Sequence, residues 1–178
     1  RTVPAGDPTW REWEVAFAKP RRGSRGHGVR QVQPTEALAD GVVQEGVIPL
    51  VPGQAFRVLL QRERGGSWLV AGIMDRRTHD GSPVSSLSRG ATAHEADPPT
   101  VQGLAPLIDH MVEVLDGLPD ADRIVEVGAD VVLGRDGPAL LEWNARPGRS
   151  FDRMGRPDLR RDAVVRPFER MVEVIRPR

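Results

Sequence analysis

The sequence predicts an α+β fold, and three observations predict it. Apolar or alternating runs come in pairs broken by glycine-bearing turns, which is the signature of antiparallel hairpins. Two stretches carry apolar residues at helical spacing. The length, 178 residues, suits one domain or two small lobes sharing a cleft and is enough to bury a real core.

The elements follow in order. Val15 to Lys19 alternates as a strand, a loop with glycines at 23, 26 and 28 follows, and a return strand runs from Val29 to Val32. In "PTEALAD", Thr35 can cap a short helix. A strand from Val42 runs into a loop around Pro49 to Gly53. Phe56 to Arg62 and Ser67 to Met74 read as a strand pair joined through Gly65-Gly66, with Arg57, Leu59 and Gln61 on one face. "PVSSLSRGATA" is a short polar strand or loop. Val101, Leu104, Ala105, Ile108, Met111, Val112 and Leu115 then mark an amphipathic helix ending near Gly117. A second helix with Val164, Phe168, Met171, Val172 and Ile175 closes the chain, and Pro167 is expected to kink or restart it.

Composition narrows the function. Basic and acidic residues balance at 25 each with no block of like charge, so the electrostatic footprint of a nucleic-acid binder is missing. No apolar run approaches the roughly 18 residues of a membrane span, and no signal-peptide pattern opens the chain. The absence of cysteine excludes disulfides, thiolate metal sites and a cysteine nucleophile, and favours a reducing compartment, with the cytoplasm as the expected location. The first residue is Arg1 rather than methionine, so an upstream portion is expected to be missing. His27, His79, His94 and His110 share no metal-ligand spacing. Nothing in the sequence sets an oligomeric state.

Two features carry chemistry. Of the 25 basic residues 24 are arginine, and the single lysine, Lys19, ends the strand before the glycine-rich tip. Glycines let the backbone approach a ligand and aim its N–H groups at phosphate oxygens, while lysine supplies a compact charge. The loop is neither a Walker A nor a Rossmann fingerprint, because a strand follows it instead of a helix. Taken alone, such a hairpin is also what a mobile turn looks like.

The second feature is "PALLEWNARPGRSF", which holds the only asparagine in the chain. On a strand, Glu142 and Asn144 project from one face. The preceding "VEVGADVVLGRDG" makes a hairpin with it. If its loop is Arg135 to Gly137, Gly134 pairs with Pro138 and Asp130 falls opposite Glu142, placing three oxygen-bearing side chains in one patch. A solvated polar face would look similar, but the apolar neighbours Leu140, Leu141 and Trp143 mean that the charged groups need a partner or a metal.

In this order, the strand ending in Lys-Pro, Gly-Ser-x-Gly-x-Gly-Val, "VVQEGVIPL", "FRVLL", "SRGA" and "GADVVLGRDGPALLEWNARPG" resemble the ATP-grasp superfamily from Val15 to Phe151. The flavour is similar to ribosomal-protein glutamate ligases, glutathione synthetases and spore-coat-associated proteins of the YheC/YheD type. The most specific part is Asp…Glu-x-Asn-x-x-Pro-Gly.

The resemblance implies two lobes with antiparallel sheets and flanking helices clasping a nucleotide: residues 1–50 the small nucleotide-clasping lobe, 51–178 the large lobe, with a domain upstream expected to be missing. It implies that Lys19 contacts ATP phosphates and that Gly23, Ser24, Gly26 and Gly28 close over them. Gln44 to Val47 would be the hinge, with Glu45 and Val47 contacting adenine through their backbone. Arg57 and Arg89 would approach the transferred phosphate or the acyl-phosphate intermediate. Asp130, Glu142 and Asn144 would hold two magnesium ions, with manganese as the alternative, since these ions prefer hard oxygen ligands. The implied activity is ATP-dependent ligation of a small-molecule or peptide carboxylate to an amine through an acyl phosphate. Ala55 stands where similar ligases carry aspartate, Ser86 where they carry asparagine, and Ala91 where a second glycine is common. Ala55 keeps a rival open, a non-catalytic ATP-binding structural or assembly protein of a spore coat or envelope.

Overall fold

The apolar runs pair into two antiparallel sheets. The computed structural model describes residues 1–22, 27–38, 40–148 and 150–175. Its strands are β1 (Thr2–Pro4), β2 (Ala16–Lys19), β3 (Arg30–Val32), β4 (Val42–Glu45), β5 (Gln54–Arg62), β6 (Trp68–Arg77), β7 (Thr92–Glu95), β8 (Glu126–Gly134) and β9 (Gly137–Asn144). The helices are α1 (Pro98–Asp116) and α2 (Pro157–Ile175). One sheet has the order β1-β4-β2-β3 and the other β7-β6-β5-β8-β9. The architecture is α+β, as expected.

Alternation along β5 and β8 divides the larger sheet. Phe56, Val58 and Leu60, with Val127, Ala129 and Val131, point to one face and pack against Leu104, Ile108, Met111 and Leu115 of α1. Burying each such side chain stabilises the fold by about 1.5–3 kcal/mol. α1 starts where Asp97 accepts the Thr100 N–H at 2.8 Å and prolines occupy the first helical positions, where a missing N–H costs nothing. On the opposite face Leu59, Ala71 and Met74 meet Phe151 and Ala163 of α2. The smaller sheet buries Ala16, Val32 and Val43 under Trp10 and Trp13. Trp10 rides on a 3-10 turn, Pro8–Glu12, that Asp7 caps through the Thr9 N–H.

Four expectations change. In place of the short helix, Pro34 and Thr35 form a turn, because Glu36 folds back to accept the Gln33 N–H at 2.6 Å and pairs with Arg30, so its carboxylate serves the turn. Strand β1, too short to carry a periodic signal, was not foreseen; it pairs Val3 with Val43. The β8–β9 loop is the pair Arg135-Asp136, with Gly134 opposite Gly137, because Gly137 takes a positive φ of 113° inside the ladder. Leu141 is then an extra residue in β9, and this bulge restores Asp130 opposite Glu142.

The fourth change concerns α2. Its apolar stripe is turned outward, with Val164, Phe168 and Val172 exposed, and Ala163 and Pro167 buried instead. Pro167 does not break the helix. A proline removes the N–H that would bond the carbonyl four residues earlier. That carbonyl belongs to Ala163, and the Gln61 side chain donates to it at 2.7 Å. Arg166 in turn donates to the Gln61 oxygen at 3.2 Å. Polar bonds, rather than the apolar stripe, orient this helix.

Candidate functional site

The face of the larger sheet opposite α1 gathers charge at one end. Register places Arg57 opposite Asp130, Asp130 opposite Glu142, and Gly128 opposite Asn144. Arg76 on β6 pairs with Ala55, so it joins the same face two residues from Arg57 along the sheet. Gly128 makes the approach possible: a Cβ there would lie 2.7 Å from Pro147 Cβ and 3.4 Å from Arg57 Cδ.

Two guanidinium groups hold the Asp130 carboxylate. Arg57 Nε donates to Oδ1 and Arg57 Nη2 to Oδ2 at 2.8 Å, while Arg76 Nη2 donates to Oδ1 at 2.6 Å. The side chains of Arg57, Arg76 and Asp130 are only 16%, 11% and 11% exposed, so these are buried pairs. Burial alone would push the Asp130 carboxyl up; the Arg57 hydrogen bond and both positive charges outweigh it and hold the group below the usual carboxylate range. Glu142 is half exposed, interacts with Asp130, and accepts from Asn144 Nδ2 at 3.4 Å.

The smaller sheet faces this cluster. Lys19 Nζ lies 3.9 Å from Glu142 Oε2. Gln44 Nε2 donates to the Leu141 carbonyl at 2.9 Å, so the expected hinge residue ties the two sheets through its side chain. Arg135 N–H donates to the Ile48 carbonyl at 3.2 Å, and Leu50 N–H to the Leu133 carbonyl at 2.8 Å. Gly134 is needed there, because a Cβ would fall 2.4 Å from Val47 Cγ1. Between residues 44–48 and 135–141 opens a cleft of about 580 Å³. Glu45 and Val47 line it; the Glu45 N–H donates to the Arg1 carbonyl at 2.9 Å, and its carboxylate takes the Arg1 guanidinium, which holds it below its ordinary range.

From the residues, only Asp130, Glu142 and Asn144 were expected to share one patch; the structure brings Lys19 and Arg57, expected separately from the resemblance, to the same place. Gly28 has a positive φ of 74° at the tip of the first hairpin, and Gly23, Ser24 and Gly26 lie outside the described residues. Arg89 sits on an exposed 3-10 turn, Leu87–Arg89, before β7. Arg76 was missed. Strand periodicity puts it on the Met74 face of β6, and only the register against Ala55 shows that this is also the Arg57 face.

The donor set fits a hard divalent cation. Two carboxylates and one amide oxygen share a face, and Asp130 Oδ2 accepts a single bond from Arg57, leaving a lone pair. Among the described residues no three His, Cys, Asp or Glu side chains gather, so Asn144 is needed to complete a third ligand. No helix of the described residues is long and apolar enough to cross a membrane.

Residues 54–172 match the family described as YheC/D like ATP-grasp. No curated protein matches the sequence. Among solved structures, N5-carboxyaminoimidazole ribonucleotide synthetase from Thermotoga maritima is similar, with TM-score 0.59 and 14% identity over 94% of this chain and 44% of that one. The Staphylococcus aureus N5-carboxyaminoimidazole synthetase complexed with ADP gives 0.61 and 8% over 93% and 46%. The RimK domain protein ATP-grasp from Sphaerobacter thermophilus DSM 20745 gives 0.55 and 21% over 92% and 59%. The chain thus spans about half the length of these proteins, and at such identities the likeness establishes the fold. With the family match covering most of its residues, the chain belongs to the YheC/D-like ATP-grasp family.

Proposed function

We propose that the protein is an ATP-dependent carboxylate–amine ligase whose two sheets act as lobes, 1–50 and 51–178, closing on the nucleotide. The observation that carries this reading is the convergence of Lys19, Arg57 and Arg76 with Asp130, Glu142 and Asn144 where the two sheets face each other. Adenine would enter the cleft beside Gln44 to Val47, and the phosphates would run toward Lys19 beneath the hairpin that carries Gly23, Ser24, Gly26 and Gly28. The Staphylococcus aureus synthetase of similar fold is complexed with ADP, which supports a nucleotide here.

In this reading a substrate carboxylate oxygen attacks the terminal phosphorus of ATP, the bond to the β-phosphate oxygen breaks, and ADP leaves. An amine then attacks the acyl carbon, phosphate departs, and the amine proton passes to solvent. Lys19 and Arg57 neutralise phosphoryl oxygens as charge shifts between them, the kind of electrostatic stabilisation that dominates phosphoryl transfer. Arg89, on its exposed turn, is assigned to the incoming carboxylate. Asp130, Glu142 and Asn144 would hold magnesium, as two ions in this reading. The metal supplies charge neutralisation and orients the phosphates. Closing the lobes excludes water from the activated acyl group.

The test is ADP release by the purified protein with a panel of carboxylates, with and without amines. Amine-stimulated release that falls far more than nucleotide affinity in Arg57→Ala supports the ligase. Nucleotide binding with no turnover for any pair would turn the reading to a structural ATP-binding protein.

A further inference from the structure

The expected metal ligands differ in access. Glu142 is half exposed, with Asn144 Nδ2 at 3.4 Å and Lys19 Nζ at 3.9 Å, whereas Asp130 is nearly buried and takes three guanidinium hydrogen bonds. A cation reaching for both carboxylates meets two guanidinium groups already on one of them. The local charge opposes it further. Lys19, Arg57 and Arg76 contribute three positive charges against two negative ones from Asp130 and Glu142, a net of plus one. Such a site draws an anion before a cation.

Arg76 is also incompletely satisfied. Its Nε is buried and has no hydrogen-bond partner among the described residues, although Nη2 is bound to Asp130. A buried donor left without an acceptor costs free energy, and an added acceptor recovers it. Guanidinium binds phosphate at least as well as carboxylate, through the same forked geometry.

We propose that Arg57 and Arg76 form a gate on the metal site: they hold Asp130 shut until a polyphosphate draws them off, so the anion binds first and the divalent cation second. The proposal rests on the metal and nucleotide assignment made above and concerns its order. Once the phosphate oxygens take the guanidinium groups, Asp130 regains its lone pairs and the site changes sign, from one that repels a dication to one that attracts it. By linkage, the cation then tightens the polyphosphate by the same factor.

The experiment uses Mn2+ alone, followed by the electron paramagnetic resonance of the free ion, and inorganic tripolyphosphate alone, followed by calorimetry. Wild type is expected to bind Mn2+ weakly without nucleotide. Arg76→Met is expected to tighten it on the order of tenfold, the effect of removing a charge-assisted bond to the ligand carboxylate. Adding Glu142→Gln to that variant should remove the gain. Metal-free tripolyphosphate should bind wild type and bind Arg76→Met more weakly. If Arg76→Met loses its cooperative thermal transition, Arg57→Lys takes its place, since it breaks the fork on Asp130 while keeping the charge, and the gain should be smaller in the same direction. Equal Mn2+ affinity in wild type and variant overturns the gate. So does tripolyphosphate that binds only when Mn2+ is present. Failure of the underlying assignment looks different: a non-hydrolysable ATP analogue would then bind wild type with no dependence on Mn2+, or not at all.

Discussion

The two faces of the five-stranded sheet are built from the same strands yet obey opposite rules. On the α1 side, Phe56, Val58, Leu60, Ala129 and Val131 pack into one apolar cluster with the helix. On the other side, the neighbouring residues Arg57, Gln61 and Asp130 are polar, and their bonds do the orienting: Arg57 to Asp130, Gln61 to Ala163. A period of two lets one strand hold the fold together on one side and carry charge on the other. The charged side is the less tolerant of partial loss, because a buried ion stripped of its partner costs more than a missing methyl group.

Asp130→Ala tests that claim most severely. It takes from Arg57 and Arg76 the one carboxylate that both hydrogen-bond, and breaking such a buried pair is expected to cost about 3–5 kcal/mol. Urea unfolding measures it, and magnesium dependence of nucleotide binding should vanish in the same variant. The pH dependence has a definite sign. The Asp130 carboxyl is held below its ordinary value of 3.8. Its contribution is therefore present above pH 3.8 and fades as pH falls through the lower folded-state value. The stability gap between wild type and Asp130→Asn should be steady above that pH and narrow below it. A gap that widens on acidification would show that the arginines do not stabilise the charged form.

Leu104→Ala makes the matching change on the apolar face. Leu104 is fully buried, and the truncation is expected to cost about 2–5 kcal/mol through lost burial and the cavity left behind. Nucleotide affinity of the folded fraction should not change. Lost affinity at equal folded fraction would mean that the two faces are coupled and the comparison is too simple.

These expectations also show where the sequence was legible. Periodicity placed the three hairpins and α1, because apolar alternation is a direct record of burial. In the last hairpin the turn and the pairing of Gly134 were wrong by one residue, yet Asp130 still meets Glu142: the shorter loop and the Leu141 bulge compensate, and a bulge leaves no mark in an alternating pattern. The orientation of α2 was not legible, for a different reason. Val164, Phe168 and Val172 form the stripe that amphipathicity would bury, yet Gln61, Arg166 and Pro167 decide the facing through bonds that join residues about a hundred positions apart. Arg76 was missed because the chain is rich in arginine, and only its register against Ala55 distinguishes it.

Gln61→Leu sharpens the account of that helix. The substitution keeps the volume roughly but removes the donor to the Ala163 carbonyl that Pro167 leaves unpaired. An unsatisfied buried carbonyl is expected to cost about 1–3 kcal/mol. The companion Pro167→Ala restores an N–H four residues on, so the double variant should recover part of the loss. No recovery would mean that the carbonyl is not what Gln61 serves.

Lys19→Ala is expected to have the smallest effect on stability and a large one on binding, which is why it separates the two roles most cleanly. Lys19 ends β2, is about a quarter exposed, and has a single ion-pair neighbour at 3.9 Å, a distance at which an ammonium contributes little. Unfolding should therefore change by no more than about 0.5 kcal/mol. Nucleotide affinity should fall, because the ammonium is the one compact cation that the smaller sheet presents to Glu142 across the cluster. Lys19→Arg should restore binding only in part, since a planar fork does not sit where a point charge did. Unchanged nucleotide affinity in Lys19→Ala would remove the smaller sheet from phosphate binding and leave the arginines of the larger sheet as the whole anion site.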